Sequence, residues 1–337
     1  MISLSEFFEL RKNLPVIDVR SPLEFSEAHI ANTINIPLLN NEERVQVGTD
    51  YKQKGQAEAI KTGFRLIGPR LEEIINETEK IAQGRELLVH CWRGGMRSNN
   101  FCSFVGMARI KSQALKGGYK AYRQLATETF QKPFQFILLG GFTGSGKSEI
   151  LHALKNQGEQ ILDLEKLANH KGSAFGGLMM PSQPTTEQFQ NNLFEEILKL
   201  DLSKRIWIED ESFAIGKIFL PQDFWNTMRA SKIVAMDVSK EIRVQRLTNE
   251  YGVANQEEFL LAMTKITKRL GGQHFNAAKE KLLQGDMAST IEILLTYYDK
   301  AYTTGLGMRK EKLLHKISWN GEDANQYALE VINTLKD

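Results

Sequence analysis

Residues 87 to 98 read LLVHCWRGGMRS, a cysteine at the end of an apolar run followed by two glycines, two arginines and a serine. Nucleophilic chemistry at sulfur needs the thiolate, and a free thiol with a pKa of about 8.5 is only a few per cent ionised at neutral pH. Lowering that pKa to about 6 takes roughly 3.4 kcal/mol of preferential stabilisation of the anion. A helix N-terminus supplies about 0.3 to 1 kcal/mol. The remainder must come from the amides of a loop curled by Gly94 and Gly95 and from at least one arginine. The whole run Cys91, Trp92, Arg93, Gly94, Gly95, Met96, Arg97 and Ser98 reads as an anion nest above a helix start, with Arg93 and Arg97 as fork-shaped donors.

A second stretch, FILLGGFTGSGKSEIL at 136 to 151, matches G-x-x-x-x-G-K-[ST] directly after an apolar strand and at the opening of a helix. The backbone through Gly141, Phe142, Thr143, Gly144, Ser145 and Gly146 would wrap a diphosphate. Lys147 supplies a point charge and Ser148 could hold magnesium. RIWIEDES, 205 to 212, ends a strand in acids, so Glu209, Asp210 or Glu211 could take the second magnesium contact, as could Asp163. The loop does not identify its phosphate: an ATPase, a small-molecule kinase and a prenyl-diphosphate site share it.

Two such sites need two scaffolds. At 337 residues the chain exceeds the size of one ordinary core, and 42% hydrophobic with 25% charged residues is an ordinary globular balance. Strands are expected at 15–20, 33–38, 85–91 and 110–118, with helices at 69–82 and after Arg97. A second alternating series begins at 134–141 and continues with strands at 160–165, 205–210 and 232–238; from Lys240 onward the pattern is almost wholly helical. Strand and helix in turn imply mainly parallel sheets covered by helices. The polar end of a helix before Pro133 divides the chain into 1–132, 133–240 and a helical extension at 241–337. The fold class is α/β, an N-terminal parallel-sheet domain followed by a P-loop NTPase-like α/β domain with a helical C-terminal part.

Composition also narrows the class. Net charge is only +2, with the basic surplus in the front half, a weak pointer to an anionic partner. Cys91 and Cys102 sit in no disulfide framework or zinc spacing, so no structural metal is expected, and Cys102 reads as helix packing. No stretch is long and apolar enough to cross a bilayer, and Met1 to Asn13 does not read as a signal peptide, which points to a cytoplasmic protein without membrane association.

VIDVRSPLEFSEAHIANTINIPL, 16 to 38, joined to HCWRGGMRS, 90 to 98, resembles a rhodanese domain, the family that carries sulfur or selenium on a loop cysteine. The resemblance implies that Cys91 carries the chalcogen and that Asp18 and Arg20 lie near the loop. Sulfur-transferring rhodaneses have four residues between cysteine and arginine, whereas Cys91 to Arg97 encloses five, as in rhodanese-like phosphatases, a width that suits a tetrahedral phosphate. Attack on phosphorus and attack on a chalcogen attached to phosphorus both remain open.

The order of the two domains, with LKGGYKAYR (115 to 123), GGFTGSGKS (140 to 148), LANHKGSAFG (167 to 176) and KRLGGQHF (268 to 275), is similar to the tRNA 2-selenouridine synthase family. That resemblance implies replacement of the sulfur of a wobble 2-thiouridine by selenium from selenophosphate, through a geranylated intermediate made from geranyl diphosphate. By implication the Cys91 thiolate engages selenium as phosphate leaves, Lys147 and its loop hold the diphosphate, and AFGGLMMP (174 to 181) offers a greasy pocket. No tightly bound cofactor is implied beyond these substrates and magnesium. Basic residues interleaved with aromatics make Lys116, Lys120, Arg123, Lys268 and Arg269 candidate tRNA contacts, with further lysines in 51–70. The competing readings are a cysteine phosphatase fused to a nucleotide-binding regulatory domain and a noncatalytic tRNA-binding or signalling ATPase.

Overall fold

Four short parallel strands carry the front of the chain: β1 (Val16–Asp18), β2 (Thr33–Asn35), β3 (Leu87–His90) and β4 (Ser112–Ala114), in the order β2-β1-β3-β4. They are seen in a computed structural model that describes residues 1–335. β1 and β3 are buried along their whole length, as unbroken apolar runs covered on both faces must be. Ile17, Leu87 and Val89 from these strands pack with Ile74, Phe101 and Val105 from the helices Leu71–Ala82 and Met96–Met107. The strand expected at 110–118 stops at Ala114, because the chain turns through Gly117 and Gly118 at φ +79° and +58° into the helix Gly118–Thr129.

The second sheet is also parallel. Its strands are β5 (Gln135–Gly141), β6 (Gln160–Leu162), β7 (Arg205–Glu209), β10 (Lys232–Asp237) and β11 (Leu313–Ser318), in the order β11-β10-β5-β7-β6, and a small antiparallel hairpin joins β8 (Ala214–Ile215) to β9 (Ile218–Phe219). β5 lies at the centre, so the P-loop leaves the sheet from its middle strand. β6 is half the expected length. Asp163 accepts the N–H of Lys166 and caps a helix Leu164–Ala168, which turns Glu165 off the sheet.

The expectation of a wholly helical segment after Lys240 is corrected by β11, which pairs in parallel with β10 from Ile233↔Leu313 to Asp237↔Ser318. Residues 241–337 are therefore not only an extension, since they supply an edge strand of the sheet. The helices that precede β11 in the chain bury Tyr251, Phe259, Met263, Leu294 and Leu295 in a core of their own. The chain divides into two units, residues 1–129 with Gln190–Asn192, and residues 130–189 with 193–337. Among the described residues no helix is long and apolar enough to cross a membrane.

Candidate active site

Cys91 follows the last residue of β3, and the helix Met96–Met107 starts five residues later. The sulfur lies at the floor of the intervening loop, and the residue is 3% exposed. Burial pushes its pKa up. The Ser98 hydroxyl, at 3.4 Å, and the backbone N–H groups of Ser98, Gly95 and Arg93 outweigh that cost, so the thiol lies below its ordinary pKa. The groups that lower it are the loop amides and one hydroxyl. No arginine is among the leading causes: Arg97 donates to both carboxylate oxygens of Glu24, at 2.6 and 3.2 Å, and Arg93 is exposed. Glu24 itself is placed by the capping box with Ser21 that opens the helix Pro22–Glu27. Burial raises the Glu24 pKa, but the Arg97 and Arg44 charges and the Ser21 amide bring it below the usual carboxylate range.

The loop is braced from behind. The amides of Tyr119 and Lys120 donate to the carbonyls of Cys91 and Trp92 at 2.9 and 2.8 Å. Gly94, at φ +64°, packs backbone to backbone against this segment: a Cβ there would lie 2.3 Å from the Leu115 carbonyl. Gly118 answers it, since its Cβ would meet the Cys91 carbonyl at 2.3 Å. The glycines of LKGGYKAYR are thus the wall of the cysteine loop, a role that only their neighbours reveal.

Asp18 and Arg20 are fully buried, and neither is a surface charge. Arg20 grips Asp18 with Nε and Nη2 at 2.6 to 3.0 Å and donates to the Ala28 carbonyl at 2.7 Å. Its guanidinium lies 4.0 Å from the centre of the Tyr119 ring, and Tyr119 in turn contacts Trp92 at 5.6 Å. The pair therefore stands beneath the loop as a support. Burial keeps His90 below its ordinary pKa, with the Asp18 charge opposing, so it is a neutral side chain under the cysteine.

In the second unit Gly144 and Gly146 adopt φ of +81° and +79°, and Lys147 folds back to the Gly141 carbonyl at 3.4 Å. Ser148 donates to Glu165 at 2.9 Å. Two of the residues expected as magnesium contacts already have protein partners. Asp210 is held by both Nη atoms of Arg309 at 2.8 and 2.7 Å and approached by Arg229 at 3.5 Å. Glu209 is fully buried, accepts the Leu164 amide at 3.0 Å, and has a pKa well above the usual range because of burial and the charges of Asp163 and Glu165. Glu211 is raised to about 8 by burial and by Glu165, with which it shares a hydrogen bond. The carboxyl next to the loop hydroxyl is thus Glu165, hidden in the sequence by the reading of 160–165 as strand. Among the described residues no group of three or more His, Cys, Asp and Glu is arranged to hold a metal ion.

Of the remaining candidates, Lys116 and Lys120 are exposed beside the cysteine loop, and Lys268 and Arg269 are exposed on the short helix Thr267–Leu270. Arg123 is only partly exposed and already donates to Asn191 and Gln190, both at 2.7 Å, which removes it as a free contact. The stretch 174–181 is divided. Phe175 is core, stacked on Phe259 at 4.6 Å, whereas Met179 is half exposed.

A cysteine loop after a strand of one parallel sheet and a glycine-rich loop with its lysine after the central strand of another define a rhodanese-like domain followed by a P-loop domain. Comparison with known proteins agrees on both: residues 3–125 match the rhodanese-like domain and residues 134–331 match the tRNA 2-selenouridine synthase AAA domain. Curated tRNA 2-selenouridine synthases align along nearly the whole chain. That of Nitrosomonas europaea is 31% identical over 88% of this chain and 90% of its own, that of Hydrogenovibrio crunogenus 35% over 90% and 92%, and that of Shewanella frigidimarina 33% over 90% and 92%. The chain belongs to the tRNA 2-selenouridine synthase family.

Proposed function

We propose that this chain is an enzyme that replaces the sulfur of 2-thiouridine at the tRNA wobble position with selenium, using selenophosphate and, through a geranylated intermediate, geranyl diphosphate. The observation that carries the reading is the Cys91 sulfur, its pKa drawn below the ordinary thiol value by three amides and a hydroxyl of the loop that closes over it. Selenophosphate is a tetrahedral anion, and Arg97, fixed by Glu24 through two of its five N–H donors, has others to spare for the phosphate oxygens.

The prenyl step falls to the P-loop. Amides of the turn through Gly144 and Gly146, with Lys147, hold the diphosphate and take up charge as it leaves, while the thiocarbonyl sulfur attacks the prenyl carbon. Magnesium arriving with the diphosphate would meet Ser148 and Glu165, and its part would be to neutralise the leaving charge. The tRNA side rests on chemistry suited to single-stranded RNA: an indole, Trp92, 38% exposed beside the nucleophile, with the cations Arg93, Lys116 and Lys120 around it and Lys268 and Arg269 on the second unit. The protein acts in the cytoplasm in this reading.

The test is nucleoside mass spectrometry of thiolated tRNA incubated with both small substrates. Cys91→Ser should lose selenium incorporation and keep geranyl transfer, and Lys147→Ala should lose the prenyl step. Equal retention of both activities in both variants would remove these assignments. Steady Cys91-dependent turnover of a phosphomonoester with no tRNA modification would favour the phosphatase reading, which the five-residue loop keeps in play.

A further inference from the structure

We infer that Cys91 accepts the phosphoryl group of selenophosphate, not its selenium, and that selenium leaves the loop as hydrogen selenide anion toward the bound nucleobase. The inference rests on the reading that selenophosphate is the donor, and it changes what the cysteine carries.

Geometry comes first. The sulfur is at the bottom of the loop, 3% exposed, with the amides of Arg93, Gly95 and Ser98 gathered around it. A tetrahedral anion entering such a nest gives its oxygens to the N–H groups that line it, which sets the central atom over the sulfur. That atom is phosphorus. Selenium, larger and a weaker hydrogen-bond acceptor than oxygen, is left as the substituent pointing out of the loop, in line with the attacking sulfur. It points to the side where Trp92 and Arg93 are exposed.

Electron balance gives the second reason. Thiolate attack on selenium would leave the phosphorus–selenium pair on phosphorus, giving phosphite, or else would need an oxidant to make a selenosulfide together with phosphate. Nothing in the site supplies one: Cys102 is a lone thiol whose pKa is raised by burial. Attack on phosphorus needs none. The sulfur–phosphorus bond forms as the phosphorus–selenium bond breaks, the pair leaves on selenium, and selenium takes a proton from solvent. Water then attacks phosphorus, the pair returns to sulfur, and phosphate departs. Selenide adds to C2 of the geranylated base and expels geranyl thiolate. No atom changes oxidation state in the enzyme.

Ser98 is the positioning residue for the second step. Its hydroxyl is 3.4 Å from the sulfur and, by turning from the Gly95 carbonyl at 3.1 Å, donates to the charge the sulfur takes up as it leaves phosphorus. In the first step loss of that donor is partly offset, because a more basic sulfur is a better nucleophile; in the second it weighs in full. Ser98→Ala should therefore slow dephosphorylation more than phosphorylation and accumulate the intermediate.

The experiment mixes full-length enzyme with selenophosphate, quenches it rapidly and reads the Cys91 peptide by mass spectrometry, with selenide release followed in parallel. Phosphoryl and selenium adducts have nearly equal mass, but selenium announces itself by its broad isotope pattern. The expected result is a phosphoryl adduct on Cys91, several-fold more abundant in Ser98→Ala, with selenide released in a burst of one equivalent per enzyme. Wild-type enzyme under the same quench keeps the test valid should the variant fold poorly. A selenium isotope pattern on Cys91, or selenouridine formed by wild type with no phosphoryl adduct in either protein, overturns the inference while leaving the donor intact. Failure of wild type to use selenophosphate at all overturns the donor assignment and this inference with it.

Discussion

Replacing Ser98 by alanine removes the one side-chain hydroxyl that faces the Cys91 sulfur. A hydrogen bond to a charged group contributes about 1.5 to 3 kcal/mol. The lower end applies here, because the same hydroxyl also reaches the Gly95 carbonyl at 3.1 Å, so ionising the thiol trades one acceptor for another. At about 1.36 kcal/mol per unit, the thiol pKa rises by about one unit. Below both pKa values the thiolate fraction then falls about tenfold, while the more basic sulfur gains about threefold in intrinsic nucleophilicity, so alkylation slows roughly three- to fourfold. Above both values the order inverts, and Ser98→Ala reacts about threefold faster. The measurement is the pH profile of iodoacetamide reaction at the Cys91 peptide, followed by mass spectrometry so that Cys102 does not intrude. Profiles that superpose, or that stay parallel without crossing, would refute the claim that this hydroxyl tunes the sulfur.

Three further outcomes follow from the same geometry. Gly94→Ala should disrupt the loop and abolish Cys91 alkylation at neutral pH, whereas Gly95→Ala, where a Cβ meets nothing within 4 Å and φ is −109°, should fold and alkylate like wild type; equal behaviour would show that the backbone contact with Leu115 is dispensable. Asp18→Ala leaves the buried Arg20 guanidinium without its carboxylate and should cost about 3 to 5 kcal/mol in urea denaturation; a change within error would contradict the support role given to the pair. Glu209 keeps its proton to higher pH in the folded state than in the unfolded one, where a glutamate ionises near pH 4.3, so its contribution to stability declines as pH rises above about 4.3. Glu209→Gln should flatten that decline, gaining on wild type as pH rises above about 5 in thermal melts; identical pH slopes would mean that folding does not raise the Glu209 pKa.

The two loops were legible because each is a short contiguous run whose residue types serve one physical purpose. Glycines at 94, 144 and 146 answer a need for positive φ, and an apolar strand before each loop sets it at the carboxyl end of an interior strand of its sheet. The misreadings share a cause. Asp210 reads as a metal contact beside its strand, yet Arg309, some hundred residues later, claims it. Arg97 reads as a free guanidinium, yet it is paired with Glu24, visible beforehand only as the third residue of a capping box. β11 carries a histidine and a lysine in a weak alternating pattern at the end of a long helical run, and only pairing with β10 makes it a strand.

The sequence by itself determined which atoms can react: a thiol set in a glycine-bent loop, a phosphate-wrapping turn with its lysine, and the parallel α/β scaffold implied by alternating elements. The tertiary structure decided the charge on those atoms and the partners that share them. Ionisation depends on burial and on neighbours within a few ångströms. Those neighbours come from distant parts of the chain: Glu24 brought to Arg97, Gly118 to Gly94, Glu165 to Ser148. Local propensity can place a side chain on a strand or a loop, but its electrostatic surroundings are set only when the whole fold closes around it.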